Sequence, residues 1–203
     1  MRVAAAVLAA GRGERLVGDT PKPLCLLGGR PLVTWALDAV RATDLSPIVL
    51  VVGRNGAGVA SAAPSAVTIV HASRWDEGIA HSLHAALDAI GLYADVDAVC
   101  VGLADQPLVG PEAYRRLVAA HETGAALAVA TYDGVRANPV LLGRELWAEA
   151  RELRGDVGAR ALMAAHETVE VDCTGTGTPT DVDTIEDLRA LEHMIQRPDR
   201  RPV

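Results

Sequence analysis

The chain has 203 residues, 50% of them hydrophobic, 22% charged and 3% aromatic, with no Phe. That length supports one domain with a full core and argues against two. With 26 acidic against 19 basic residues the net charge is −7, which argues against nucleic acid or an anionic membrane as a partner, because both recruit cationic surfaces.

The first ten residues, MRVAAAVLAA, hold a short apolar run that GRGER ends with charge. A buried strand over Val3–Ala9 fits this better than an exported leader. A glycine-rich loop follows. Val33, Leu37 and Val40 behind Pro31 then mark a helix, with Trp35 on its apolar side as a core residue. Strands are expected over Pro47–Gly53 and Val67–His71, and a helix on the stripe Ile79, Leu83, Ala86 and Ile90. A strand over Ala98–Leu103 leads to a helix behind Pro111 that carries Leu117. A strand over Ala126–Tyr132 leads to helices over Leu146–Leu153 and Ala159–Ala165. The last pair is a strand over Thr168–Cys173 and a helix over Ile185–Ile195. One domain over 1–196 is expected, with the tail RPDRRPV (197–203) disordered. His81, His84 and Asp88 share a helical face and read as polar residues turned to solvent.

Most of these strands are near-continuous Val, Ile, Leu and Ala, the pattern of strands covered on both faces. Strand alternating with helix makes βαβ units. The expected fold is therefore α/β, a doubly wound, mostly parallel, Rossmann-like sheet with ligands at the carboxyl ends of its strands. No apolar segment approaches the roughly 18–20 residues of a membrane span. Cys25, Cys100 and Cys173 are widely spaced without a CxxC pair, and read as buried thiols in a reducing, cytoplasmic setting.

The stretch VLAAGRGERLVGDTPKPL is the most informative. Gly11 and Gly13 let the backbone press its N–H groups onto a ligand, while Arg12, Arg15 and Lys22 bring charge for several phosphates. A dinucleotide turn needs a third small residue where Leu16 stands, although Arg54 after the second strand would suit a 2′-phosphate. A P-loop needs lysine where Asp19 stands. The dinucleotide turn, a triphosphate loop and a plain solvated loop remain open. Lys22, between Pro21 and Pro23, is the one lysine in the chain.

L-A-A-G-x-G-x-R-L followed by P-K-P-L and G-G-R-P-L resembles the signature of nucleotidyltransferases with a glycosyltransferase-A-like fold, in their MobA-like branch. WDEGIAHSL, LADQPL, the pair Asn138–Leu141 and GDVGAR, and DVDTIEDL are similar to further motifs of that branch, in the same order. Asn138 stands where the branch often has histidine, and Ile185 where proline is usual. The resemblance implies Mg²⁺-dependent transfer of a nucleoside monophosphate from a triphosphate to a phosphorylated acceptor. It implies molybdopterin or molybdenum cofactor as acceptor, with a molybdoenzyme or maturation partner. Ala10 in L-A-A-G points to CTP over GTP.

Such transfer is an in-line attack at the α-phosphorus, in which the protein positions groups and neutralises charge. The resemblance assigns Lys22, Arg15 and Asp105 to catalysis, Lys22 at the α-phosphate and Arg15 with Arg12 at the outer phosphates. It assigns Leu8, Ala10, Gly11, Arg12, Gly13 and Ser82 to the nucleotide, and Trp75 to the acceptor pocket. Asp105, Asp181 and Asp183 become the hard oxygen ligands that Mg²⁺ requires. Each has an ordinary alternative: Asp105 as a turn residue before Pro107, Ser82 as a small helix residue, and one of Asp181 and Asp183 as the cap of the last helix. Two rivals stay open, an NADP-dependent oxidoreductase and a cofactor-binding relative that transfers nothing. Another phosphorylated acceptor, of phospholactate or isoprenoid type, also stays open.

A compact ammonium and a planar guanidinium present different donor geometry to a phosphorus centre that changes shape during reaction. Lys22→Arg should therefore fold normally and lose most transferase activity, as Lys22→Ala should. A fully active Lys22→Arg enzyme would make the lone lysine an accident of composition.

Overall fold

The computed structural model describes residues 1–11, 20–53 and 56–196. Its strands in chain order are β1 (Val3–Ala9), β2 (Leu26–Leu27), β3 (Arg30–Pro31), β4 (Ile48–Val52), β5 (Thr68–His71), β6 (Ala98–Leu103), β7 (Leu127–Tyr132), β8 (Val135–Gly143) and β9 (Val169–Asp172). The α-helices are α1 (Leu32–Arg41), α2 (Gly56–Ser61), α3 (Ile79–Gly91), α4 (Pro111–Glu122), α5 (Trp147–Ala150) and α6 (Ile185–Gln196).

Seven strands form one sheet in the order β5-β4-β1-β6-β8-β7-β9. The first four run parallel, β8 runs antiparallel to both β6 and β7, and β9 is parallel to β7. β1 sits between β4 and β6, and every residue from Val3 to Leu8 is buried. Its side chains divide between two apolar layers, as strand alternation requires. Val3, Ala5 and Val7 meet α1, α2 and α4 through Val33, Leu37, Val59 and Leu117. Ala4, Ala6 and Leu8 meet α3 and α5 through Leu83, Leu87, Ile90 and Trp147. This is the expected single-domain, doubly wound α/β fold.

A third, smaller cluster joins the two ends of the chain. Cys25, Leu27 and Leu32 pack against Val182, Leu188 and Leu191. Trp35 lies against this satellite rather than in a main layer, and its indole N–H donates to the Leu27 carbonyl at 3.0 Å. All three cysteines are buried. Among the described residues no helix is long and apolar enough to cross a membrane.

Five local features differ from expectation. β8 is an additional strand, whose polar first half and Pro139 hide it from an apolar-run reading. α2 and the β2–β3 hairpin also go unsignalled, the first because GAGVAS is glycine-rich and the second because its strands have two residues each. The helix expected over Leu146–Leu153 is a single α-turn after a 3₁₀ turn, and Ala159–Ala164 is 3₁₀ throughout. The expected tail at 197–203 lies outside the described residues.

Gly78 caps the start of α3, and its φ of +112° favours glycine. A Cβ there would lie 2.2 Å from the Gly155 carbonyl carbon, and the Ala80 N–H donates to the Gly155 carbonyl at 3.1 Å. Neither obstacle is a flexible side chain, so Gly78→Ala should lose at least about 2 kcal/mol of stability. Denaturant unfolding would measure it, and a loss within error would mean that the 78–155 contact yields easily.

Candidate active site

The turn Lys22–Leu24 has prolines on both sides of its lysine, and proline's fixed φ limits the ways that loop can wander. The lysine Nζ donates to Asp105 Oδ2 at 2.8 Å and to Asp183 Oδ1 at 2.6 Å. Asp105 lies just past the carboxyl end of β6, which the Ala104 N–H ties to the Leu8 carbonyl of β1 at 3.0 Å. The Val182 N–H donates to the Asp105 carbonyl at 2.9 Å, anchoring the Asp181–Asp183 segment there. Gln106 Nε2 donates to Asp181 Oδ1 at 3.0 Å. Three carboxylates from two segments thus gather around one ammonium.

Burial opposes the Lys22 charge, but attraction and hydrogen bonds from Asp105 and then Asp183 outweigh it and hold the pKa above the ordinary lysine value. Asp181 shifts upward as well, first through burial and then through the neighbouring Asp105 charge. The cluster is therefore short of positive charge. Its donors are hard carboxylate oxygens and its centre already attracts a cation, so the residues fit a divalent ion of the Mg²⁺ type. Among the described residues no ready-made group of three His, Cys, Asp or Glu ligands closes around a point.

The expectation that Asp181 or Asp183 caps α6 is corrected. Thr184 and Asp187 form the cap: Asp187 Oδ2 accepts from the Thr184 N–H at 2.7 Å, and Thr184 Oγ1 accepts from the Asp187 N–H at 3.1 Å. Both earlier aspartates are left for other partners.

Two cavities abut at this cluster. The smaller, about 130 Å³, is lined by Leu8, Ala10, Gly11, Trp75, Ser82 and Asp105 among others. The larger, about 270 Å³, has an apolar floor of Leu83, Val101 and Val140 and a polar rim of Gln106, Asn138, Asp156, Arg160 and Asp181. Leu8, Ile79, Leu103 and Asp156 line both. The expected nucleotide residues Leu8, Ala10, Gly11 and Ser82 thus share one cavity wall. Trp75 is on that wall rather than in the larger pocket. Arg12, Gly13 and Arg15, with the rival reading's Arg54, lie outside the described residues.

Sequence reasoning assigned no role to Gln106, Asp156 or Arg160. Gln106 follows Asp105 in the same turn and is 4% exposed, with no hydrogen-bond partner for Oε1 among the described residues. Asp156 follows Gly155, a positive-φ residue that marks a turn. The solvated face expected for His81, His84 and Asp88 holds for Asp88, which is exposed and pairs with Arg151 at 2.9 Å, and is corrected for the two histidines. His81 is buried, and the His84 ring meets the Ala150 carbonyl of α5 at 3.1 Å.

A doubly wound sheet with paired clefts and a lysine–carboxylate cluster at its carboxyl ends puts the site where open α/β sheets bind ligands. The model of the MobA-like NTP transferase domain matches residues 5–170. The chain belongs to that family. It is 35% identical over 131 residues to the bifunctional protein GlmU of Geobacter metallireducens, matching 64% of this chain but spanning 27% of that protein. It is 30% identical over 202 residues to nicotine blue oxidoreductase of Paenarthrobacter nicotinovorans, covering 93% of this chain and 96% of that one. Rv0371c of Mycobacterium tuberculosis in complex with manganese superposes with a TM-score of 0.81 at 26% identity, covering 95% and 99% of the two chains. Molybdopterin-guanine dinucleotide biosynthesis protein A of Archaeoglobus fulgidus shares the fold, with a TM-score of 0.71 at 17% identity over 97% and 100%.

The α6 cap gives a pH test. Hydrogen bonds from Thr184 hold the Asp187 carboxyl below its ordinary value of 3.8. A depressed folded pKa contributes stability that is present above the ordinary value and lost as pH falls through the folded one. Thr184→Ala should cost about 1 kcal/mol near neutral pH, and the gap from wild type should narrow below pH 3.8. A gap unchanged down to acid pH would mean that the carboxylate takes no part.

Proposed function

We propose that this is a cytoplasmic, Mg²⁺-dependent cytidylyltransferase that moves CMP from CTP to a phosphorylated acceptor and releases pyrophosphate. The acceptor of choice is molybdopterin or its molybdenum-loaded form, with a molybdoenzyme or maturation factor receiving the product. The observation that carries the reading is Lys22 Nζ between Asp105 and Asp183, in a cluster whose Asp105 lines the smaller cavity and whose Asp181 lines the larger one. CTP rather than GTP is supported by Ala10 of L-A-A-G, buried in the wall of the smaller cavity. Molybdopterin is supported by membership of the MobA-like family.

In this reading the base and sugar lie along Leu8, Ala10, Gly11 and Ser82, with Arg12, Gly13 and Arg15 at the phosphates. The acceptor occupies the larger cavity, so its phosphate oxygen faces the α-phosphorus where the two clefts abut. Lys22 stabilises the charge that builds on the α-phosphate as pyrophosphate departs. Asp105, with Asp181 and Asp183, would hold Mg²⁺, which supplies charge neutralisation across the phosphates. A manganese complex of the Rv0371c relative supports a divalent ion. The apolar floor of the larger cavity keeps water from competing with the acceptor.

One observation favours a second reading. The relative named nicotine blue oxidoreductase matches almost end to end, and in that reading the clefts hold a nicotinamide dinucleotide such as NADPH and a reducible substrate.

A thermal-shift and pyrophosphate-release screen of CTP, GTP, ATP, UTP and NADPH with Mg²⁺ separates the two. CTP at a hundredfold excess over its Kd should add about 2.7 kcal/mol, a rise in Tm of roughly 5–10 °C for a chain of this size. Pyrophosphate should appear only with molybdopterin present. Stabilisation by NADPH and by no triphosphate would establish the oxidoreductase instead.

A further inference from the structure

The Lys22 ammonium stands where a metal ion would draw the same carboxylates. Asp105 Oδ2 and Asp183 Oδ1 both lie within hydrogen-bond reach of its Nζ, at 2.8 and 2.6 Å, so the two oxygens face each other across one small cation. The lysine side chain is 14% exposed and the Asp105 side chain 29%, while Asp183 is 68% exposed, so the pair opens to solvent on the Asp183 side. Mg²⁺ takes oxygen ligands at about 2.0–2.1 Å. An ion held by both carboxylates at that distance would press against the ammonium, and two cations that close repel each other.

We propose that Lys22 is a removable counter-ion: ammonium and divalent metal are mutually exclusive partners of the Asp105–Asp183 pair, and loading the site exchanges one for the other. Before loading, the ammonium suppresses repulsion between carboxylates from segments far apart in sequence. Asp181, held by Gln106 rather than hydrogen-bonded to Lys22, offers the incoming ion a first oxygen. The displaced ammonium then needs a new anion. This last step rests on the transferase reading, in which that anion is the triphosphate; the exchange itself does not. Metal alone therefore binds weakly, and metal with triphosphate binds well, because only then does the ammonium leave one set of anions for another.

The single lysine makes the exchange observable in the intact protein. Protein labelled with ¹⁵N-lysine has one side-chain signal, that of Lys22. Titration with Mg²⁺ alone should shift it along the same isotherm that reports metal binding. A signal that stays put as the ion saturates would overturn the proposal. Mn²⁺ binding without nucleotide, followed by electron paramagnetic resonance of the free ion, gives a second readout. Lys22→Met should bind Mn²⁺ roughly tenfold or more tightly than wild type, and the Lys22→Met/Asp105→Asn double variant should lose that gain. Equal or weaker binding by Lys22→Met, or a gain that survives Asp105→Asn, would also overturn it. No nucleotide enters these measurements, so their failure leaves the transferase reading standing. A protein blind to every triphosphate would sink that reading and leave the exchange intact.

Discussion

Negative charge concentrated at the carboxyl end of the sheet is the constraint from which the rest of the site follows. Burial first, and then the charge of Asp105, push the Asp181 pKa upward. A cluster of that kind would fly apart or take up protons without a cation at its centre. Lys22 supplies the cation from 83 and 161 residues away along the chain. Its own desolvation is outweighed only because two carboxylates face it at once. Backbone bonds share the burden: Val182 N–H to the Asp105 carbonyl, and Ala104 N–H to the Leu8 carbonyl, fix the segments that carry the charges.

The sheet's topology explains why the two cavities meet at that cluster. β1 and β6 are parallel neighbours, so the chain leaves both at the same edge, with Ala10 and Gly11 on one side and Asp105 and Gln106 on the other. The reversed strand β8 then brings Asn138 and Val140 beside β6 from the opposite direction, which places a wall where another parallel strand would have carried the chain away. The Gly78–Gly155 contact closes the remaining side and delivers Asp156 to both cavities. A cleft divided in this way suits two substrates that must touch at a single atom pair.

Much of this was legible in the letters. The parallel strands were readable because burial on both faces leaves runs such as VAAAVLA and AVCVGL with nothing polar in them. α1, α3 and α4 were readable because their apolar stripes are long. β8 was not, since VRANPVLLG changes from exposed to buried half-way and proline usually argues against a strand. At the site, Lys22, Asp105, Asp181 and Asp183 stood out because PKPL, LADQPL and DVDTIEDL resemble motifs of the MobA-like family. The true cap of α6 was obscured by its acidic neighbours. Thr184 and Asp187 have the spacing of a capping box, but three aspartates within seven residues offer the same chemistry. Gln106 and Asp156 acquire meaning only from which cavity they line, and that depends on tertiary packing rather than any local pattern.

The small apolar cluster of Cys25, Leu27, Leu32, Val182, Leu188 and Leu191 has a bearing on how such a site diversifies. Lys22 rides on one side of it and the Asp181–Asp183 segment on the other, while the two large layers that stabilise the sheet lie elsewhere. Repacking a handful of side chains there would alter the gap between cation and carboxylates by fractions of an ångström without touching the strands. The fold thus carries an adjustable seam, through which one scaffold could be retuned for ions, triphosphates or acceptors of different size while its core stays the same.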